Sequence, residues 1–268
     1  MKEPILFPSS DSLPATPPEC IDALPGQKRF TFHALTEGER TIELRFHAAK
    51  DSVLESVVLQ DVPKGQSVRI RIRAIAESGA TLKLLCIQRG SSKSSVELFS
   101  EAAGKGARLE LRGLNVAHDG QQLHLIAESR HPVASTSSDL QVWNAALGES
   151  RTLFSGLIRI EPGARQTEAF QKNRNLILSE RAVIDSIPKL LIANDDVKCA
   201  HGSSTSSLDL EQEMYLRSRG LDRLEAEQML VRGFIAQAMD GVGDLGCRED
   251  LAQRFGLDSN AWNLGDQA

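Results

Sequence analysis

The sequence predicts a mainly β fold followed by a helical C-terminal region. Three observations carry this. Apolar and polar residues alternate in one short segment after another between about residues 41 and 207. Turn-prone pieces rich in Gly, Ser and Asp separate those segments. After Ser207 the apolar spacing changes from that of a strand to that of a helix.

Residues 1–40 open the chain. Residues 1–28 are rich in Pro and Ser and lack periodicity, so an extended or disordered lead-in is expected over 1–40. From Thr41, TIELRF alternates. In SVRIRIRAIA, Val68, Ile70 and Ile72 share one face and Arg69, Arg71 and Arg73 the other, which is expected to be solvated. ATLKLLCIQRG, ARLELRGLNV, QQLHLIAES, SRTLFSGLIRI, NLILSERAVI and PKLLIANDDVKCAH continue the series, separated by AESGA, QRGSSKSS, AGKGA, AHDGQQ and EPGAR. The spacing of these turns, roughly 20–25 residues, matches one rung of a solenoid. A sandwich and a barrel fit the same pattern. The β core is assigned to 41–207.

The C-terminal region, 208–268, begins with LDLEQEMYLRSRG, a helix with Asp209 as N-cap and Gln212 three residues on, stopped by Gly220. Asp222 and Glu225 form a capping box for a second helix. Its Ala226, Met229, Leu230, Gly233, Phe234 and Ala238 make one apolar stripe. That stripe either packs on the β region or docks a partner. CREDLAQRFG predicts a short third helix. Trp262 is a docking anchor or a cap on the core.

Composition excludes several functions. The net charge of −5 argues against nucleic acid or an anionic membrane as partner, and the 4% aromatic content against base-stacking or sugar platforms. No apolar run approaches the ~20 residues needed to span a bilayer. The N-terminus lacks the pattern of a signal peptide, so a cytoplasmic protein with free thiols is expected. Cys20, Cys86, Cys199 and Cys247 include no CxxC pair. Cys86, inside LKLLCI, is expected to be a buried small hydrophobe. The chain has no GxSxG, HExxH or Walker A loop, and no GxGxxG after a strand. No enzyme is expected, and any nucleotide would be handled by another protein.

The residues with chemistry lie in DDVKCAHGSSTSSLD, Asp195 to Asp209. On a strand, Cys199 and His201 point to one face, about 6.5–7 Å apart. A thiolate and an imidazole so placed can share iron or zinc, or meet an iron–sulfur fragment. Two ligands do not close a site; the rest would come from another turn or another subunit. The pair can equally be the end of a structural strand. Asp195 and Asp196, being adjacent, face opposite ways on a strand and are expected at a turn or edge. His124 and His131 are expected as core or surface histidines.

From Phe154 onward, FSGLIRI, QKNRN with LILS, PKLLIANDDVKCAHG and YLRSRG closely resemble, in order and near spacing, the core of the SufB/SufD family, scaffold subunits of the SUF iron–sulfur cluster assembly machine. The likeness is strong over roughly 110–120 residues and looser before them. DDVKCAHG resembles the SufD branch. SufB-like chains carry a glutamate where this chain has Gly202, and a sulfur-receiving cysteine at the position matched to Asn173. The resemblance implies a right-handed parallel β-helix followed by the helical region. It implies pairing with a SufB-like subunit through the β-helix. Residues about 208–242 would dock a SufC-like ABC-type ATPase, with Tyr215, Leu216, Arg219, Met229, Leu230 and Phe234 at the contact. ATP-driven movement would pass through these helices and open the β-helix interface. His201 would be a transient iron or cluster ligand shared across the subunit interface, and Cys199 a co-ligand or sulfur relay. Flavin is left open. SufD-like chains usually carry a longer helical N-terminal region than residues 1–40 could form. Two other readings stand beside this one: a two-fold homodimeric scaffold joined through the same edge strands, and a β-helical carbohydrate-active enzyme using Asp195, Asp196 and an Arg.

Overall fold

The computed structural model describes residues 18–38 and 40–257. They form fourteen strands: β1 (Glu19–Ala23), β2 (Lys28–Leu35), β3 (Arg40–Ala48), β4 (Val53–Val62), β5 (Ser67–Ala76), β6 (Thr81–Gly90), β7 (Lys93–Ala102), β8 (Arg108–Ala117), β9 (Gln122–His131), β10 (Ser137–Ala146), β11 (Arg151–Ile160), β12 (Thr167–Ile177), β13 (Val183–Ile192) and β14 (Val197–Ser206). Three helices follow: α1 (Leu210–Ser218), α2 (Arg223–Met239) and α3 (Leu245–Arg254). Among the described residues strand structure is present from Glu19, well before the alternation becomes legible at residue 41. Trp262 and the lead-in before residue 18 lie outside the described residues.

No strand pairs with its neighbour in sequence. The odd-numbered strands form one seven-stranded sheet in order, the even-numbered strands a second. The pairings within both are parallel. Each coil therefore gives one strand to each sheet, and the chain is a parallel β-solenoid. The stacked polar side chains in its interior are 27, 29, 31 and 30 residues apart. That is longer than the turn spacing suggested, because turn residues mark both corners of a coil. At one corner the left-handed residue is Gly79, then Gly106, Ser135 and Gln166 in successive coils. The backbone N–H of each of these four donates to the next coil.

The interior between the sheets is apolar over most of its length. Leu44, Phe46, Leu54, Ile70, Ile72, Leu82, Leu98, Leu109 and Phe154 are fully buried there. Along one side runs a column of amides. Gln88 donates to Asn115 (2.8 Å), Asn115 to Asn144 (2.6 Å), Asn144 to Asn175 (2.8 Å), and Asn175 to Thr205 (3.0 Å). Amides on successive coils can each donate up and accept from below, so a buried column stays satisfied at a strand spacing of about 4.8 Å.

His131 also points inward. Its Nδ1 bonds the Thr136 hydroxyl and its Nε2 the Ser138 hydroxyl, both at 2.8 Å. Burial pushes its pKa down to about 4. Burial, then Arg151 and Lys93, push that of His124 down to about 4 as well. Unfolded, each imidazole takes a proton near pH 6.5; folded, it stays neutral until about pH 4. The unfolded chain binds more protons throughout that window, so stability falls as pH drops from 6.5 towards 4. The expected slope is up to about 1.4 kcal/mol per pH unit per histidine. Urea unfolding at pH 7 and pH 5 reads it. The His131→Gln protein should lose less over that interval than the wild type, and equal losses would refute the assignment.

The outer face of the odd sheet carries cross-strand ion pairs. Arg71 reaches Glu97 at 3.3 Å and Glu43 at 3.7 Å. Arg69, expected in solvent, is buried beside Glu97 at 3.4 Å, flanked in register by the buried Thr41 and Ser95. On the even sheet the outer face is covered by helices. Val57, Leu59, Leu85, Ile87, Leu114, Val116 and Trp143 pack against Val231, Ile235, Ala238, Met239 and Leu251. The buried face of α2 is therefore Ala226, Val231, Ile235, Ala238 and Met239, turned from the predicted stripe, and Gly233 is exposed. None of the described helices is long and apolar enough to cross a membrane.

Candidate functional site

Cys199 and His201 lie on β14, the last strand of the even sheet, which pairs only with β12. Cys199 is in register with Ala169 and His201 with Gln171. In β12 the alternate residues Thr167, Ala169, Gln171, Asn173 and Asn175 are buried inside the solenoid. Parallel in-register strands keep side-chain direction, so Val197, Cys199, His201, Ser203 and Thr205 face the same way. No described strand continues either sheet beyond β13 or β14. Among the described residues the last coil therefore presents its inward row uncapped, with two open strand edges of ten residues each.

The row grades from apolar to polar. Cys199 is half-buried, packed with Leu190 and Val197 against Ile158, Ile160 and Ala169. Burial lifts its thiol above the usual range, partly offset by a backbone hydrogen bond with Ala169. His201 is exposed. Beyond it, Thr205 and Ser186 of β13 take hydrogen bonds from Asn175 at 3.0 and 3.1 Å and end the amide column. Asn173 donates to Ser186 and accepts from Asn144. Asn173 is thus a buried amide held on both sides. A Cβ at Gly202 would meet nothing within 4 Å, so the absence of a side chain there is not a packing requirement.

The structure brings Cys199 and His201 to one face, as their spacing predicts. Asp195 and Asp196 sit in the exposed turn before β14. Beside them Lys198 pairs with Glu168 at 2.8 Å. Among the described residues no group of three or more His, Cys, Asp or Glu is placed to hold a metal ion. Cys199 and His201 alone would offer two ligands, too few to close a site. Cys86 is buried in the core, and burial raises its thiol to about 12.

The helices form a second feature. The Asp209 carboxylate caps α1 through the Glu211 and Gln212 N–H groups, and Asp222 and Glu225 complete the capping box of α2. The far end of α2 is clamped. Arg112 of β8 donates to the carbonyls of Gln237 and Ala238, at 3.1 and 3.3 Å, while lying over the Trp143 ring. A cation on the last carbonyls of a helix is favoured by their exposed lone pairs and the helix dipole. Arg174 packs on the same ring. Arg89 likewise donates to the Arg254 carbonyl at the end of α3 and covers Phe255. Of the residues the resemblance places at an ATPase contact, Tyr215, Arg219 and Met229 are exposed, with Arg219 over the Tyr215 ring. Leu216 and Leu230 are half-buried, and Phe234 packs partly against the α2–sheet cluster. The sequence reading missed Leu210, Met214 and Leu224, which are exposed on the same hairpin. It also missed Gln171, Ser186, Ser203 and Thr205. Only the last two were accessible to it, by continuing the period of two from His201.

Residues 31–234 match the family model described as the SufBD core domain of SUF system FeS cluster assembly. An iron–sulfur cluster assembly SufBD family protein of Mycobacterium leprae is 33% identical over 188 residues, covering 66% of this chain and 47% of the relative. A SufBD family protein of Synechocystis is 31% identical over 182 residues, covering 66% and 40%. The iron–sulfur cluster assembly protein SufD of Escherichia coli is 37% identical over 108 residues, covering 40% and 26%. The matched stretch spans less than half of each of these relatives.

Proposed function

The chain belongs to the SufB/SufD family of SUF iron–sulfur cluster assembly proteins, and from that membership we propose that it is a SufD-like scaffold subunit. It pairs with a SufB-like subunit through the uncapped last coil and docks a SufC-like ABC-type ATPase on the α1–α2 hairpin. The observation that carries this reading is the half-site. His201 and Cys199 stand on the inward-facing row of the last strand of the even sheet, with no described coil above it. Such an end is completed by another protein that supplies both strand pairing and the missing ligands. Iron or a nascent cluster is the cargo, held transiently by His201, with Cys199 as co-ligand. Release of the cargo lowers the need for a closed site, which fits two ligands rather than four.

The exposed Tyr215, Met229 and Arg219 with the half-buried Leu216 and Leu230 form the proposed ATPase contact, joined by Leu210, Met214 and Leu224. Arg112 and Arg89 tie α2 and α3 to the even sheet, so displacement of the hairpin is transmitted to the solenoid.

Anaerobic co-purification from the native host tests the reading. The tagged full chain is expected to bring down a SufB-like protein and an ABC-type ATPase. The full chain carrying Tyr215→Glu and Met229→Glu, both exposed and outside the buried clusters, is expected to keep the first and lose the second. Recovery of the full chain alone, as monomer or homodimer, would overturn it.

A further inference from the structure

Among the described residues Gln171 is the buried side chain beside Cys199 and His201 with no hydrogen-bond partner. It is buried, 2% exposed, and both its Nε2 and its Oε1 lack a hydrogen-bond partner. It lies one coil below His201, in register with it. Its amide reaches across the interior to Gly156 of β11: a Cβ there would sit 2.4 Å from Oε1 and 2.6 Å from Nε2. This gives the glycine of FSGLIRI its physical reason, since a side chain would occupy the space of the amide. Below the amide in register are Leu140 and Ala127, both buried and apolar. Above it are His201 and, over Gly156, Pro188, which has no N–H to offer. The only polar side chain in register above or below that can satisfy the amide is the imidazole.

Building on the scaffold reading above, we propose that Gln171 is a positioning residue for His201. When the last coil is closed by its partner, the amide hydrogen-bonds the inward nitrogen of the His201 ring and leaves the other nitrogen facing the cargo iron. Neighbouring in-register strands are about 4.8 Å apart, so a side-chain rotation of His201 suffices. A metal-binding imidazole normally has its second nitrogen held in this way, which fixes the tautomer and the ring orientation. Gly156 is part of the device, because it leaves room for the amide to lie flat beneath the ring.

The test uses the full chain in complex with its SufB-like partner. Anaerobic Fe(II) titration is expected to show about 10–100-fold weaker binding for Gln171→Met than for wild type. Gly156→Ala, which displaces the amide without removing it, should weaken binding in the same direction. Gln171→Glu, which keeps an acceptor, should restore part of it. Nitrogen-15 NMR of the His201 ring is expected to show one tautomer in the wild-type complex and a mixture in Gln171→Met. The urea midpoint of Gln171→Met should stay level or rise, since an unpartnered buried amide is removed. Wild-type affinity and tautomer in Gln171→Met, or a lowered midpoint that accounts for weak binding, would overturn the proposal. A His201→Ala complex run alongside separates the two readings. If it binds Fe(II) like wild type, the scaffold half-site is wrong; if it fails while Gln171→Met binds normally, only the positioning role is wrong.

Discussion

Replacing His201 by alanine is expected to weaken iron capture by the assembled complex by on the order of 100-fold, while the complex forms and the chain folds as before. The ring is exposed and belongs to none of the buried clusters, so its loss leaves no cavity. A surface substitution of this kind shifts stability by about 0.5 kcal/mol or less. Cys199→Ser should cost less: burial raises its thiol above the usual range, so the metal-binding thiolate forms less readily there. Because the two residues serve one ion, the double variant should lose little more than His201→Ala alone. Anaerobic Fe(II) titration, with the mass of the complex measured in parallel, gives the answer. Normal cluster yield from the His201→Ala complex would remove the residue from the chemistry.

The second large effect is on the fold. Asn144→Leu, a change of similar volume, should destabilise the chain by about 3–5 kcal/mol. Asn144 is fully buried, and its amide accepts from Asn115 and donates to both Asn173 and Asn175. Leucine leaves the Asn115 donor and two acceptor oxygens without that partner, each costing about 1–3 kcal/mol in a dry interior. Asn173 and Asn175 both bond Ser186, so the damage should also reach the last coil. The urea midpoint reads the stability loss. A change below about 1 kcal/mol would show that the column is dispensable.

Much of this architecture is legible in the sequence because two of its four surfaces obey simple rules. The odd sheet has one dry and one wet face, and SVRIRIRAIA shows it directly. The helix starts are legible because Asp209, Asp222 and Glu225 satisfy backbone N–H groups and little else does so as well. Other parts follow no local rule. A period of two marks a strand but says nothing about whether its partner runs parallel, so the solenoid rested on the family resemblance. The latter halves of β4, β6 and β8 are buried on both faces, under helices outside and core inside, and read as unpatterned apolar runs such as LLCI. The amides of QKNRN invert the usual pattern: Gln171, Asn173 and Asn175 face inward and Arg174 outward over Trp143. Residues Cys199 and His201 were legible as a pair because they are two apart in one strand. Gln171 was not, because its relation to His201 exists only through register, thirty residues along the chain.

The same register has a consequence for how the molecule comes to exist. Every ladder among the described strands joins residues 25–32 apart, as between Glu19 and Leu44 or Arg151 and Val183, and never adjacent strands. No hairpin can therefore act as a seed. Closing the first loop of this length costs about 3 kcal/mol in chain entropy before a second coil repays it. Afterwards each coil templates the next, as in other stacked-repeat proteins. Throughout synthesis the newest coil is an adhesive growing tip, and burial of its inward row waits for the coil that follows. For Val197–Ser206 no described coil follows. Among the described residues the surface carrying Cys199 and His201 is a growing tip with no successor, and in the scaffold reading proposed above a docking subunit takes the place of the next coil.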